Sequence, residues 1–244
     1  MLNALIVTRR ELVAYFASPL AYVFIVIFLA LSGALTFYVG GFFERGQADL
    51  EAFFLFHPWL YLFLVPALAM RLWAEERKSG TMEFLMTLPL TAGQAVIGKF
   101  LAAWIFAGIA LALTFPVWIT VGWLGEPDHG VIGAAYLGSW LMAGGYLAVG
   151  SALSALTRNQ VIAFVLAASV SFLLLMAGVE VVQRFLSSFL PLELASAVAG
   201  LSFQTHFQSL SQGVIEVKDV AFFLSLIVAA LIANTLIVEL KKAS

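Results

Sequence analysis

Long apolar runs separated by short polar stretches organise this chain. A helix needs about 20 mostly apolar residues to cross the hydrocarbon core of a bilayer. Six stretches qualify: Leu20–Val39, Ala52–Met70, Phe100–Gly122, Val131–Leu156, Val161–Val182 and Val220–Val238. Their apolar positions do not alternate, so helices are predicted and a membrane β-barrel is disfavoured. Pro66 and Pro116 are expected to kink the second and third spans, because proline lacks the N–H of the helical ladder.

Residues 2–16 follow a different pattern. At about 100° per residue, Leu2, Leu5, Ile6, Leu12, Val13 and Phe16 share one face, while Asn3, Thr8, Arg10 and Glu11 lie elsewhere. Residues 1–19 are therefore expected to form an amphipathic interfacial helix, with Ser18-Pro19 turning the chain into the bilayer. Arg9 sits in the middle of the apolar face, where it either snorkels to headgroups or meets a cytosolic partner.

Composition narrows the class. Of 244 residues, 63% are hydrophobic and 11% charged, whereas a soluble domain carries about a quarter charged residues. The fold expected is an all-α membrane protein. A disulfide scaffold is excluded by the absence of cysteine, and a net charge of -2 without a basic tract argues against nucleic acid.

The placement of the charges says more than their number. Nine basic residues (Arg9, Arg10, Arg71, Arg77, Lys78, Lys99, Arg158, Lys241 and Lys242) flank the spans on one side; Arg45, Arg184 and Lys218 fall on the other. By the positive-inside rule both termini are cytoplasmic. The outer loops collect acid instead, including Glu44, Asp49, Glu51, Glu126, Asp128, Glu193, Glu216 and Asp219. The apolar run after Arg9-Arg10 is long enough to span and shows no small-residue cleavage site, so no cleavable signal peptide is expected.

Much of the cytoplasmic charge falls between the second and third spans, in residues 71–99. Ser79-Gly80 is expected to break the helix leaving the membrane. Thr81 can cap a new short helix with Glu83 near its positive end, and Pro89 ends it. A helix of about two turns is too short to be stable alone, yet Met82, Phe84, Leu85 and Met86 make this one apolar. Docking to another protein and packing against the membrane face both account for it.

The residues Met70-Arg71, Glu75-Glu76-Arg77, Ser79-Gly80-Thr81, Glu83, Leu88-Pro89-Leu90 and Gly98-Lys99-Phe100 resemble the permease subunit of type-2 ABC transporters. The stretch His206-Phe207-Gln208-Ser209, followed by Gly213-Val214-Ile215 and Asp219, is similar to the gliding-motility, GldF-like branch. The resemblance implies a single transmembrane domain spanning residues 1–244, with residues 1–19 as the connecting helix and the segment after the second span as a coupling helix. Glu75, Glu76, Arg77, Gly80, Thr81, Glu83 and Phe84 would then be the coupling residues, seated in a groove of a separate ATPase subunit. No cofactor is expected on this chain; ATP and Mg would sit on that ATPase. A second permease copy or related permease is implied, with a possible auxiliary protein bearing a periplasmic domain. The location implied is the bacterial inner membrane.

Other chemistries find little support. Gly93 and Gly98-Lys99 approach a phosphate loop, but Phe100 stands where Ser or Thr is needed and no strand precedes it. Lys99 reads instead as an interfacial anchor. His57, His129 and His206 show no metal spacing, and Asp128-His129 reads as a solvated turn ahead of a weak cation site. No hydrolase motif or paired intramembrane acids occur. The span centres hold no ionisable residue; Asn234 and Thr114 are expected to be helix–helix hydrogen bonders, which disfavours an ion-driven carrier.

Small residues on the fourth span (Gly144, Ala148 and Ala152) predict close helix packing, within one subunit or between two. Residues 183–219 contain apolar stretches too short to cross, which predicts a re-entrant hairpin or a surface lid between the fifth and sixth spans. By the resemblance, Pro191, Leu192, Phe203 and Phe207 would help form an outer gate. The expected function is that of a permease subunit driven by a partner ATPase. The rivals are a mechanotransmission subunit that acts on a periplasmic protein without moving solute, and an ATP-independent channel or secondary carrier.

Overall fold

A computed structural model describes residues 2–81 and 90–242, and all regular structure among them is helical. Helix α1 covers Leu2–Ala17. Ser18 then caps α2 (Pro19–Ala34), its hydroxyl accepting from the Leu20 N–H at 3.3 Å, and proline occupies the first turn, where no N–H is needed. A π-helical turn, Leu35–Val39, extends α2. Next come α3 (Glu51–Phe54), α4 (His57–Ala69) and α5 (Arg71–Ser79). Helices α6 (Ala92–Ala112) and α7 (Phe115–Leu124) follow. Beyond them lie α8 (His129–Ser154), α9 (Gln160–Met176), α10 (Glu180–Ser187), α11 (Leu192–Ala199), α12 (Phe203–Ser211) and α13 (Val217–Lys242).

Among the described residues, five segments are long and apolar enough to cross a membrane: Pro19–Val39, Glu51–Ser79, Ala92–Leu124, His129–Ser154 and Val217–Lys241. Helices α9 and α10 make a sixth only as a pair bent by 79°. The fifth expected span therefore differs from its reading as one straight helix to Val182. It stops at Met176, and the chain turns beside α12 at Gly178, where a Cβ would lie 2.3 Å from the Thr205 hydroxyl oxygen. The expected kink at Pro116 is a break at Leu113–Thr114, with the proline in the first turn of α7, whereas Pro66 lies inside α4.

Helix α8 is the centre, packed by α4, α6, α9, α12 and α13. Its most apolar stretch is 72% buried, against 17% for the last span, so α8 is core and α13 is periphery. The small residues of α8 serve this packing: a Cβ on Gly144 would lie 2.8 Å from the Trp104 ring nitrogen and 2.9 Å from Ile227. Trp104 and Trp140 stack at 4.2 Å, and each ring N–H donates to the other residue's carbonyl. Asn234 donates to the Ser151 hydroxyl at 2.7 Å, and Thr114 pairs with Tyr136 at 2.9 Å, as helix–helix bonders should.

Helix α1 has two working faces. The expected apolar face is divided: Leu5, Ile6 and Val13 are exposed, while Leu12 and Phe16 pack on the core, the Phe16 ring 5.7 Å from that of Phe106. The opposite face, including Ala4, Val7 and Thr8, is buried against α6. Gly98 makes this approach possible, since a Cβ there would lie 2.6 Å from that of Val7. The bundle thus has a basic end, formed by α1, α5, the start of α6 and the α8–α9 turn, and an acidic end carrying residues 40–50, 125–128 and 177–216.

Candidate functional site at the basic end

Helix α5 carries the Glu75-Glu76-Arg77 cluster beyond α4, and its first turn is held by a residue from α8. The Ser154 hydroxyl accepts from the Trp73 and Ala74 N–H groups at 3.2 and 3.0 Å. It donates to the Met70 carbonyl at 2.8 Å. The first N–H groups of a helix lack intrahelical partners, and this hydroxyl supplies a cap from another element. One turn later the Arg71 guanidinium binds Glu75 bidentately, at 2.7 and 3.1 Å.

The centre of the site is Lys99, only 3% exposed. Its ammonium lies 2.9 Å from the Glu76 carboxylate and 3.3 Å from that of Glu11, and 5.6 Å from the centroid of the Trp73 ring. A buried cation needs compensation, and two carboxylates and an aromatic face supply it. Three helices meet here, because Glu11 belongs to α1, Glu76 to α5 and Lys99 to α6. Lys99 is therefore a buried ion-pair centre, not the interfacial anchor expected from its position at the start of an apolar run.

The expected coupling residues are partly assembled by this clasp. Thr81 donates a hydrogen bond to the Glu76 carboxylate, and Ser79 and Thr81 share a hydroxyl–hydroxyl bond at 2.8 Å. Gly80 ends α5 in the left-handed conformation, φ 74°, which favours glycine. Arg77 turns the other way and donates to the Ala155 carbonyl at 2.8 Å, fastening α5 to the end of α8. Glu83 and Phe84 lie outside the described residues. Between α1, α2, α4–α5 and α6 runs a groove of about 490 Å³, apolar along Val23, Phe24 and Leu64 and charged at its mouth through Arg71, Glu75 and Glu76.

Sequence reasoning missed Glu11, Lys99 and Ser154 as members of this site. Lys99 lies 23 residues from Glu76, and Ser154 lies 80 from Ala74, beyond any local periodicity. The one available signal was a lysine inside an apolar helical run, which must find a partner.

At the acidic end, the expected gate residues are not one cluster. Leu192 is 78% exposed at the start of α11, and Pro191 is exposed beside it. Phe203 and Phe207 are buried, with the Phe203 ring 4.4 Å from Tyr146 on α8 and 6.0 Å from Phe223 on α13. Helices α10 and α11 pack on each other as a short hairpin.

A family model described as ABC-2 family transporter protein matches residues 18–239. No curated protein matches the chain.

Proposed function

The chain belongs to the ABC-2 family of transporter proteins, and from that premise we propose that it is the subunit through which a separate ATPase drives conformational work across a bacterial inner membrane. The membrane subunit itself has no catalytic role in this reading, and ATP and Mg are held by the ATPase. Both termini and the basic end face the cytoplasm, as the charge asymmetry of the loops favours. Residues 75–84 form the contact with the ATPase. A second copy or related permease completes the assembly, and the GldF-like residues add an auxiliary protein with a periplasmic domain as a further partner. Leu192 on the hairpin, with Pro191 beside it, closes over Phe203 and Phe207 as an outer gate.

The observation that carries the reading is the Lys99 clasp. A segment that receives force must be fastened to the helices that move, and Lys99 fastens the base of the 75–84 segment to α1 and α6 at once. A ligand or nucleotide state changes a conformation only through differential contacts, and this junction is where such contacts reach three helices together.

The test is co-purification with an ATPase, followed by ATPase and conformational measurements on the reconstituted complex. Glu83→Ala and Phe84→Ala are expected to break the dependence of ATPase activity on this subunit. Unchanged activity with unchanged coupling overturns the contact assignment, and repeated failure to recover any ATPase supports the channel or carrier instead. A complex that hydrolyses ATP and changes shape without moving solute identifies the mechanotransmission form.

A further inference from the structure

A polar pair at the acidic end has no part in the proposed function. His206, on α12, lies with Nδ1 2.6 Å from an Asp219 carboxylate oxygen and Nε2 3.0 Å from the Gly200 carbonyl. Its ring stacks on Phe222 at 4.0 Å. Asp219 is only 1% exposed, and its second carboxylate oxygen has no hydrogen-bond partner. The two contacts join separate elements, since Gly200 ends α11 of the hairpin and Asp219 lies in the first turn of α13.

A neutral imidazole has one N–H and one bare nitrogen, whereas a carbonyl and an ionised carboxylate are both acceptors only. A neutral ring between them leaves lone pair against lone pair at one contact. Both contacts are satisfied when the pair carries one more proton, either as imidazolium with carboxylate or as neutral imidazole with carboxylic acid. The geometry fixes the proton count of the pair and leaves the proton's placement between the two residues open.

We propose that His206 and Asp219 form a buried site for a single proton, which latches the α10–α11 hairpin to the last span. Loss of the proton to water leaves one contact repulsive and frees the Gly200 end of the hairpin. The sign follows from linkage. The latched state binds one proton more than an unlatched pair with neutral imidazole, so latching weakens as pH rises.

The charged surroundings are sparse. The other charges near this turn are Lys218, on α13, and Glu216, just before it, paired with each other at 2.7 Å and exposed. The hairpin carries Glu180 and Arg184, which pair with each other, and Glu193. The remaining helices packed on α12 offer little: α8 has His129 at its far start and two tyrosines, Tyr136 and Tyr146, while α9 has no titratable residue.

The chain has no native cysteine, so spin labels can be placed uniquely at Glu193→Cys and Val217→Cys in the full-length protein in lipid nanodiscs. Electron–electron distance measurements from about pH 5.5 to about pH 9 are expected to show a shift to longer separations. The latched-to-unlatched ratio should fall by up to about tenfold per pH unit, the slope of a single proton. Asp219→Asn replaces the proton with an amide N–H that can donate to Nδ1, so this variant should stay latched throughout. His206→Gln should be unlatched throughout and retain native helix content by circular dichroism. A wild-type distance that does not move over this range overturns the proposal, as does a pH response that survives in Asp219→Asn.

Discussion

At the basic end a lysine holds two carboxylates from two other helices; at the acidic end an imidazole holds one carboxylate and one backbone carbonyl. The first junction lies among α1, α5 and α6, its ammonium nearly withdrawn from solvent between two carboxylates. The second joins a small exposed hairpin to the bundle through two contacts that need one shared proton to be satisfied together. Where force enters, in the proposed function, the fastening is constitutive. At the hairpin, in the proton latch proposed, it is conditional. The contrast argues that one end is built to transmit motion and the other to release it.

The strongest way to break this contrast is Lys99→Met. The change leaves Glu11 with Arg10 alone, at 2.6 Å, and Glu76 with only the Thr81 hydroxyl, and a loss of about 3 kcal/mol is expected in detergent unfolding. A loss nearer that of an exposed pair, under about 1 kcal/mol, would make the two ends equivalent. Ser154→Ala should follow, at about 2 kcal/mol, because the Trp73 and Ala74 N–H groups lose a buried acceptor. Thermal unfolding reads this effect, and Ser154→Thr should recover most of it.

His206→Gln should loosen the acidic end alone, by about 1.5 kcal/mol at low pH, the scale of a hydrogen bond to a charged group. Hydrogen exchange at residues 196–203 measures the effect; faster exchange at residues 71–79 as well would show that the ends are coupled in the resting protein. The smallest effect is expected at Glu180→Gln. Its pair with Arg184 is about three-quarters exposed on both sides, so about 0.3 kcal/mol or less should register. A larger effect would mean that the hairpin is held by its own surface charges more than by His206.

The spans were largely legible because membrane crossing is written in length and apolarity. Their ends were not. The expected third span begins at Phe100, yet α6 begins at Ala92, behind the capping box of Thr91 and Gln94. A lysine at the third turn of that helix looked like a boundary; only the distant Glu11 and Glu76 make it an interior residue. The same limit affected α1, whose apolar stripe was read correctly as a pattern. The face carrying Ala4, Val7 and Thr8 is the more deeply buried, because Gly98 admits Val7. The fifth span ends early, at Met176, and turns at Gly178, where Ser202 and Thr205 approach it in a contact across more than 20 residues. His206 and Asp219 were legible as a motif, while their shared proton depends on the Gly200 carbonyl, which no side-chain pattern reveals.

The hydroxyl of Ser154 has a mechanical consequence. It takes hold of the chain on both sides of the α4–α5 joint, at Met70 on one side and at Trp73 and Ala74 on the other. A push delivered at Ser79 therefore acts on a lever whose fulcrum is seated on α8. The load passes sideways into the most buried helix of the protein before it travels along α4, so the whole core shares the torque.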